Sequence, residues 1–244
     1  MTAARELWVA HLGLRPYGEV LEIQRAAAAA RIAGEIPQDV LILVEHPPVV
    51  TRGRGAREPA HLVASPALLG SRGVELFDVE RGGDVTFHGP GQLVAYPIFD
   101  LARHRQDLHW YLRQVEETII RSLAPFGIAA ERRSGLTGVW TGGRKIASIG
   151  VHARAWVTWH GFALNVTTDL SYFDLIIPCG ILGVTMTSVE QELLRRADAT
   201  CLAPSPALAE EVEDAVIASA CEVFGLEPVR IESGALAPHA AGAT

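Results

Sequence analysis

The chain has 244 residues, 49% hydrophobic and 20% charged, a balance that can bury a sizeable core and excludes disorder, which needs low hydrophobicity with high net charge. Its formal charge of −7 argues against a general nucleic-acid binder, although Arg52, Arg54 and Arg57 lie close together and Arg132, Arg133 and Arg144 form a second loose group. Arg5, Glu6, Arg15 and Glu19 fall where a secretory signal needs an apolar run, and the longest uncharged stretch, Leu175 to Val189, is shorter than the roughly 20 residues of a spanning helix, so a cytoplasmic protein with no membrane association is expected.

Tyr17, Val20, Leu21, Ala28 and Ile32 recur at helical spacing, with Gly34 and Pro37 as the stop. Val40 to Val44 predicts a buried strand that ends in the turn at His46, Pro47 and Pro48. A Gly- and Arg-rich loop follows from Arg52 to Arg57. Val74 to Val79 predicts another strand, and Val85 to Ile98 two short ones broken by His88-Gly89-Pro90-Gly91. Asp107 is placed to cap a helix whose face is Leu108, Tyr111, Leu112, Val115, Ile119 and Leu123, with Gly127 as its stop.

Leu136 to Trp140, Lys145 to His152 and Trp156 to Val166 predict successive strands, the first two joined by the hairpin dipeptide Gly142-Gly143. A last helix is expected from Pro206 to Phe224, burying Leu208, Val212, Val216, Ala220 and Val223. Strands dominate the middle without strict βαβ alternation. The expected fold is therefore α/β in the broad sense, α+β mixed-sheet layers, rather than a doubly wound arrangement. One domain over residues 1–230 is expected, with an Ala- and Gly-rich flexible tail over 231–244.

Three segments carry chemistry. The first is Arg81-Gly82-Gly83-Asp84-Val85-Thr86-Phe87-His88-Gly89-Pro90-Gly91-Gln92. Its four glycines let backbone approach a ligand closely, or form a bulge and tight turn. It matches neither the GxxxxGK[ST] phosphate loop nor the GxGxxG dinucleotide pattern. The second is Gly143-Arg144-Lys145-Ile146-Ala147-Ser148-Ile149-Gly150. Here a lysine heads an apolar interior strand, where burial disfavours its charged form.

The third is Ile177-Pro178-Cys179-Gly180-Ile181. Three cysteines without a CxxC pair make neither a disulfide framework nor a cysteine zinc site. Cys201 and Cys221 read as inert small hydrophobes, Cys221 because it sits in the pattern of the last helix. Cys179 lies in a loop between Pro178 and Gly180, where backbone amides and a nearby cation can activate a thiolate. Lys145, His88, His152 and His160 are the candidate partners, and spacing does not choose between Lys145 and His88. No HExxH-like pattern supports a metal.

With Trp159-His160-Gly161-Phe162-Ala163-Leu164-Asn165 between the second and third, these segments resemble the lipoyl(octanoyl) transferases. That family orders RGGxxTxHGPGQ, GxKIASIG-like, HGxALN and PCGI-type motifs along the chain, and the resemblance covers about residues 40–195. It implies the α/β catalytic domain shared with lipoate- and biotin-protein ligases. It implies an acyl-thioester on Cys179, with Lys145 as the partner that favours its thiolate, and an acyl site at Arg81 to His88, at Ser148, Ile149 and Gly150, and at Gly161, Phe162 and Ala163; beside the sulfur, Lys145 is then the natural acceptor of the attacking lysine's proton. Phe87 stands where many members carry tyrosine, and its aromatic face is expected to line an acyl channel.

The activity implied is transfer of octanoyl from acyl carrier protein to a lysine of a lipoyl domain, without metal or cofactor. The implied acceptors are the lipoyl domains of 2-oxoacid dehydrogenase complexes and the glycine cleavage H protein. Arg52, Arg54, Arg57 and Arg144 are the expected docking surface for such acidic partners. The alternatives are an ATP-dependent lipoate- or biotin-protein ligase, a cysteine hydrolase using Cys179 and His88, and a non-catalytic carrier-binding module.

Overall fold

In the computed structural model the described residues are 5–56, 61–197, 205 and 207–236. In chain order the elements are strand β1 (Arg5–Leu14), helix α1 (Tyr17–Ala33), β2 (Asp39–Glu45), β3 (Val49–Arg52), α2 (Pro66–Ser71), β4 (Glu75–Asp78), β5 (Val85–His88) and β6 (Gln92–Ile98). Then come α3 (Leu108–Leu123), β7 (Glu131–Arg133), β8 (Leu136–Thr141), β9 (Arg144–Arg154), β10 (Val157–Asn165), α4 (Val189–Ala197), α5 (Leu208–Phe224) and β11 (Leu226–Arg230).

Eight strands form one mixed sheet in the order β11-β1-β2-β6-β10-β9-β8-β7, parallel across β11, β1 and β2 and antiparallel elsewhere. A second sheet, β4-β3-β5, stands beside it. The expected mixed-sheet layering is what the chain adopts. Both faces of the large sheet are covered, which is why β2, β6 and β10 are buried along nearly their whole length rather than alternating. Leu41, Leu43, Leu93, Ala95, Phe162 and Leu164 point to one face, under α3 and α5. Val40, Ile42, Val44, Val94, Tyr96 and Ala163 point to the other, under α1.

Local signals explain where elements start and stop. Asp107 caps α3 by accepting from the Trp110 amide at 3.0 Å. Gly34 ends α1 in the left-handed region, φ 77°, a conformation that costs glycine nothing. Gly142 and Gly143 both take positive φ, 49° and 83°, as a tight hairpin turn requires.

Four strands differ from the sequence reading. β1, β3, β7 and β11 are held by pairing that no periodicity announced. α1 buries Gln24, Ala27, Ala30 and Arg31, whereas Ile32 is exposed, and Val223 of α5 is only half-buried. Residues 231–236, within the expected tail, pack against the fold. The Ile231 amide donates to the Val9 carbonyl at 2.9 Å and Leu236 is fully buried beneath α1. Residues 237–244, Arg57 and Cys201 lie outside the described residues.

Candidate active site

Strands β5, β9 and β10 and the 3₁₀ turn at Pro178–Gly180 converge on a cleft between the two sheets. Of the expected residues, Arg81, Gly83, Asp84, Val85, Thr86, His88, Ser148, Ile149, Gly150, Gly161, Phe162, Ala163 and Cys179 line it. Tyr17, Val94, Tyr96 and His160 complete the wall. Tyr17 and Tyr96 carried no functional signal in the sequence, because each reads as an ordinary core residue at its periodic position.

At one end of the cleft the Lys145 Nζ lies 3.0 Å from the Cys179 Sγ. Lys145 does not line the cleft. It stands behind the sulfur, fully buried, and donates its other hydrogen bond to the Thr137 carbonyl at 3.2 Å. Its backbone is clamped to the far side of the cysteine loop. The Lys145 amide donates to the Thr185 carbonyl, and the Thr187 amide to the Lys145 carbonyl. Room for the side chain comes from Gly138 on β8, where a methyl group would meet Lys145 Cε at 2.8 Å and the Ala147 carbonyl oxygen at 2.7 Å.

Cys179 itself has φ 56° and ψ 20°, the left-handed region that a residue with a β-carbon enters at a cost of about 1–2 kcal/mol. Such strain persists where surroundings over-determine it and concentrates at functional sites. The loop is pinned by the Ile177 amide donating to the His61 carbonyl and by the Gly180 amide donating to the Ile177 carbonyl.

The Gly-rich segment is packed backbone to backbone. A methyl on Gly53 would sit 2.5 Å from the Gly83 carbonyl oxygen, and one on Gly55 2.8 Å from the same atom. Arg81 is buried yet makes its hydrogen bonds to neutral groups, the Thr51 carbonyl at 2.7 Å, the Thr51 hydroxyl at 2.8 Å and the Gly82 carbonyl at 3.1 Å. Its burial pulls its pKa down, and its charge acts on Tyr17, Cys179, Tyr96 and Asp84. The cysteine end of the cleft therefore carries two buried cationic side chains, Arg81 and Lys145. Asp84 holds His61, with Oδ2 2.5 Å from Nδ1.

The opposite wall is a buried aromatic and imidazole cluster. His88 stacks on Tyr17 with ring centroids 5.9 Å apart, and His46 joins Arg15 through its carbonyl and Tyr96 through its hydroxyl, each at 2.8 Å. Burial pushes the pKa of His46 down to about 4 and those of His88 and His160 to about 3, so all three are neutral near neutrality. The motif residues Gln92 and Asn165 act as fasteners. Gln92 accepts from His88 at 2.8 Å and donates to Asn165 at 2.9 Å, and Asn165 donates to the Thr187 carbonyl at 3.0 Å.

The structure places several of the expected residues away from the cleft. Phe87 turns away from the cleft, stacking on Tyr172 at 4.8 Å and meeting Phe173 edge-on at 5.6 Å in the core of the small sheet. Neighbouring strand residues point to opposite faces, so Thr86 and His88 flanking it face the cleft instead. Gly82 braces the loop by donating its amide to the Val151 carbonyl and does not line the cleft. His88 is bonded to Gln92 rather than to Cys179, and His152 packs on Trp159. The arginine surface is largely self-neutralised. Arg52 forms a two-pronged pair with Asp78 and Arg144 another with Glu192, which leaves Arg54 exposed among the described members.

Among the described residues no group of three or more His, Cys, Asp or Glu is placed to hold a metal, and no helix is long and apolar enough to cross a membrane.

Residues 16–216 match the family model described as the lipoyl protein ligase A/B catalytic domain. The chain is 48% identical over 224 residues to an octanoyltransferase of Gloeobacter violaceus, covering 92% of this chain and 91% of that one. It is 50% identical over 235 residues to an octanoyltransferase of Chloroflexus aurantiacus, covering 95% and 100%. Among solved structures it resembles a lipoate-protein ligase A bound with ATP, with a TM-score of 0.70, 17% identity, and 96% and 93% of the two chains covered. A bi-partite lipoate protein ligase from Thermoplasma acidophilum aligns with a TM-score of 0.68, 18% identity, and 96% and 91% covered. At such identities the structural likeness speaks for the fold alone.

Proposed function

The chain belongs to the octanoyltransferase family of lipoyl protein ligase A/B catalytic domains and is an acyltransferase of protein lipoylation, and on that premise we propose that it moves octanoyl from acyl carrier protein to a lipoyl-domain lysine through a thioester on Cys179. The observation that carries this reading is the 3.0 Å contact between Lys145 Nζ and Cys179 Sγ at the end of the cleft. An ammonium donating to sulfur holds the thiolate, which is the nucleophilic form.

In the first step the thiolate attacks the thioester carbonyl of the octanoyl donor. A C–S bond forms on Cys179, another breaks, and the carrier leaves as its thiol, taking the proton that Lys145 gives up. Because one thioester is exchanged for another, no ATP is consumed. The Arg81 and Lys145 charges supply positive potential where negative charge develops on the carbonyl oxygen. In the second step the acceptor lysine, as the neutral amine, attacks the acyl-Cys179 carbonyl; the C–N bond forms as the C–S bond breaks, Lys145 takes the amine proton and the thiolate departs beside it.

Val85, Val94, Ile149, Phe162 and Ala163 give the cleft an apolar course for the chain. Each methylene buried there is worth about 0.8 kcal/mol, so depth selects length. The proposed acceptors are the lipoyl domains of 2-oxoacid dehydrogenase complexes and the glycine cleavage H protein, in the cytoplasm.

Intact mass spectrometry after mixing with octanoyl-carrier protein tests the reading. An octanoyl adduct mapped to Cys179, and its loss on adding a lipoyl domain, is the expected result. Lipoyl-domain modification that occurs only with ATP and free acid would instead make the chain a ligase, the activity named for its structural neighbours. Release of free octanoate with no acceptor present would make it a hydrolase.

A further inference from the structure

We propose that Tyr96 is the stop that sets which acyl chain the cleft accepts, ending it at the length of octanoyl; the inference deepens the acyl-Cys179 reading above and rests on it. The strand register lays out the cleft floor. Ser148, Ala163 and Val94 stand side by side across β9, β10 and β6, and the next pair on that face is Gly150 opposite Gly161. Tyr96 lies two residues beyond Val94 on β6 and so shares its face. The side chains therefore grow across the strands. On β9 and β10 the floor is made of serine, alanine and glycine, and at β6 it rises to Val94 and the Tyr96 ring.

The low part of the floor has a set width. The cysteine comes in from the β9 side, where Lys145 reaches the Cys179 Sγ at 3.0 Å. Arg81 roofs that side, since a methyl on Gly150 would meet its Cδ at 2.9 Å. From β9 to β6 is two strand spacings, about 10 Å, the span of an extended octanoyl chain. A longer chain held at Cys179 would run its end into the Tyr96 ring.

That ring is held where it does not swing aside. His46 Nδ1 lies 2.8 Å from the Arg15 carbonyl, an atom that only accepts, so Nδ1 carries the proton. Nε2 then accepts from the Tyr96 hydroxyl at 2.8 Å. His46 is 0% exposed, and its ring lies 5.2 Å from that of Tyr17 and 6.0 Å from that of His88. Tyr17 and His88 reach the cleft from α1 and β5 and back the Tyr96–His46 pair. With its hydroxyl engaged by a buried partner, Tyr96 meets the chain end with ring carbon. A free hydroxyl at the same place would lose its water to the incoming methyl and be left unpaired.

Competition among hexanoyl-, octanoyl-, decanoyl- and dodecanoyl-carrier protein for the full chain tests this, with each Cys179 adduct resolved by mass at early times. The unmodified protein is expected to acylate faster with each two-carbon step up to octanoyl and to fall sharply at decanoyl. In Tyr96→Leu the decanoyl-to-octanoyl adduct ratio is expected to rise about tenfold or more, the worth of two newly buried methylenes. Tyr96→Phe keeps the ring and loses only the bond to His46, and is expected to keep the octanoyl preference. An unshifted ratio in Tyr96→Leu, or an equal shift in Tyr96→Phe, overturns the inference and leaves the thioester reading intact. So does a profile of the unmodified protein that stays level from octanoyl to dodecanoyl, a measurement that needs no variant to fold. Absence of a Cys179 adduct from every donor overturns the thioester reading and this inference with it.

Discussion

The Lys145 Nζ lies 3.0 Å from the Cys179 sulfur although the two stand 34 positions apart in the chain. Two constraints bring them together. Lys145 heads β9 and is tied on both sides of its backbone to residues 185 and 187, which leave the cysteine loop. Cys179 is turned toward it by a left-handed backbone that the following Gly180 continues, φ 66°. Replacing Cys179 by Ala, or Lys145 by Met, is expected to lower transfer by at least about 10³-fold, since members of a reacting unit fail together. Cys221→Ala is expected to leave the rate unchanged. That thiol is buried in α5 with its pKa pushed up to about 11. Gel-shift assays of lipoyl-domain modification read all three variants.

Gly138 offers a test that leaves both members of the pair in place. A β-carbon there would displace the lysine side chain, and the φ of 128° is closed to alanine. Gly138→Ala is expected to impair formation of the Cys179 adduct by about tenfold or more, as a misplacement near 1 Å does. Adduct formation by mass spectrometry at timed intervals measures it.

Phe87 separates a packing role from a binding one. It fills the core of the small sheet against Tyr172 and Phe173, so Phe87→Ala is expected to cost about 3–5 kcal/mol of stability by denaturant unfolding. The gentler Phe87→Leu is expected to leave the preference among hexanoyl, octanoyl and decanoyl donors unchanged. A shift in that preference would place the ring at the acyl chain after all.

Gly161 marks the tightest crossing of the cleft floor. A methyl there would lie 2.1 Å from the Ala95 carbonyl oxygen and 2.5 Å from Pro97 Cδ, neither of which can swing aside. Gly161→Ala is expected to destabilise the fold by about 1–3 kcal/mol, the usual cost of overpacking, read as a lowered thermal midpoint.

Stability should fall as the solution is acidified below neutrality. His46, His88 and His160 are neutral in the fold with pKa values of about 4, 3 and 3, but titrate near 6.5 once unfolded. Between about pH 6.5 and those folded values the unfolded chain binds more protons, so stability rises with pH there and is lost on acidification. The slope is about 1.4 kcal/mol per pH unit for each histidine titrating alone. Urea unfolding at pH 7.5, 6 and 5 checks the sign, and His46→Gln is expected to flatten the dependence.

Much of the fold was legible because its signals are local. The αL glycine after α1, the Asp107 cap, the Gly142-Gly143 turn and the continuous apolar run of β2 each act within a few residues. β1, β3 and β11 were not legible, because their place depends on a partner strand far along the chain. β11, for example, pairs Leu226 with Arg5. Among site residues, Cys179 and the Gly-rich segment stood out by composition. Tyr17 and Tyr96 did not, since a tyrosine on a helix or strand matches no pattern until its neighbours are known.

The sequence by itself determined the layered α/β class, the family and the four ordered motifs that bear the chemistry, since each is written in contiguous residues. Only the tertiary structure decided how closely Lys145 meets the cysteine, which face Phe87 shows, and that His61 and Asp84 stand over Gly180. These are relations between segments 23 to 34 or more residues apart. Burial, backbone pairing and the side alternation of strands set them, and none of these is local to a motif.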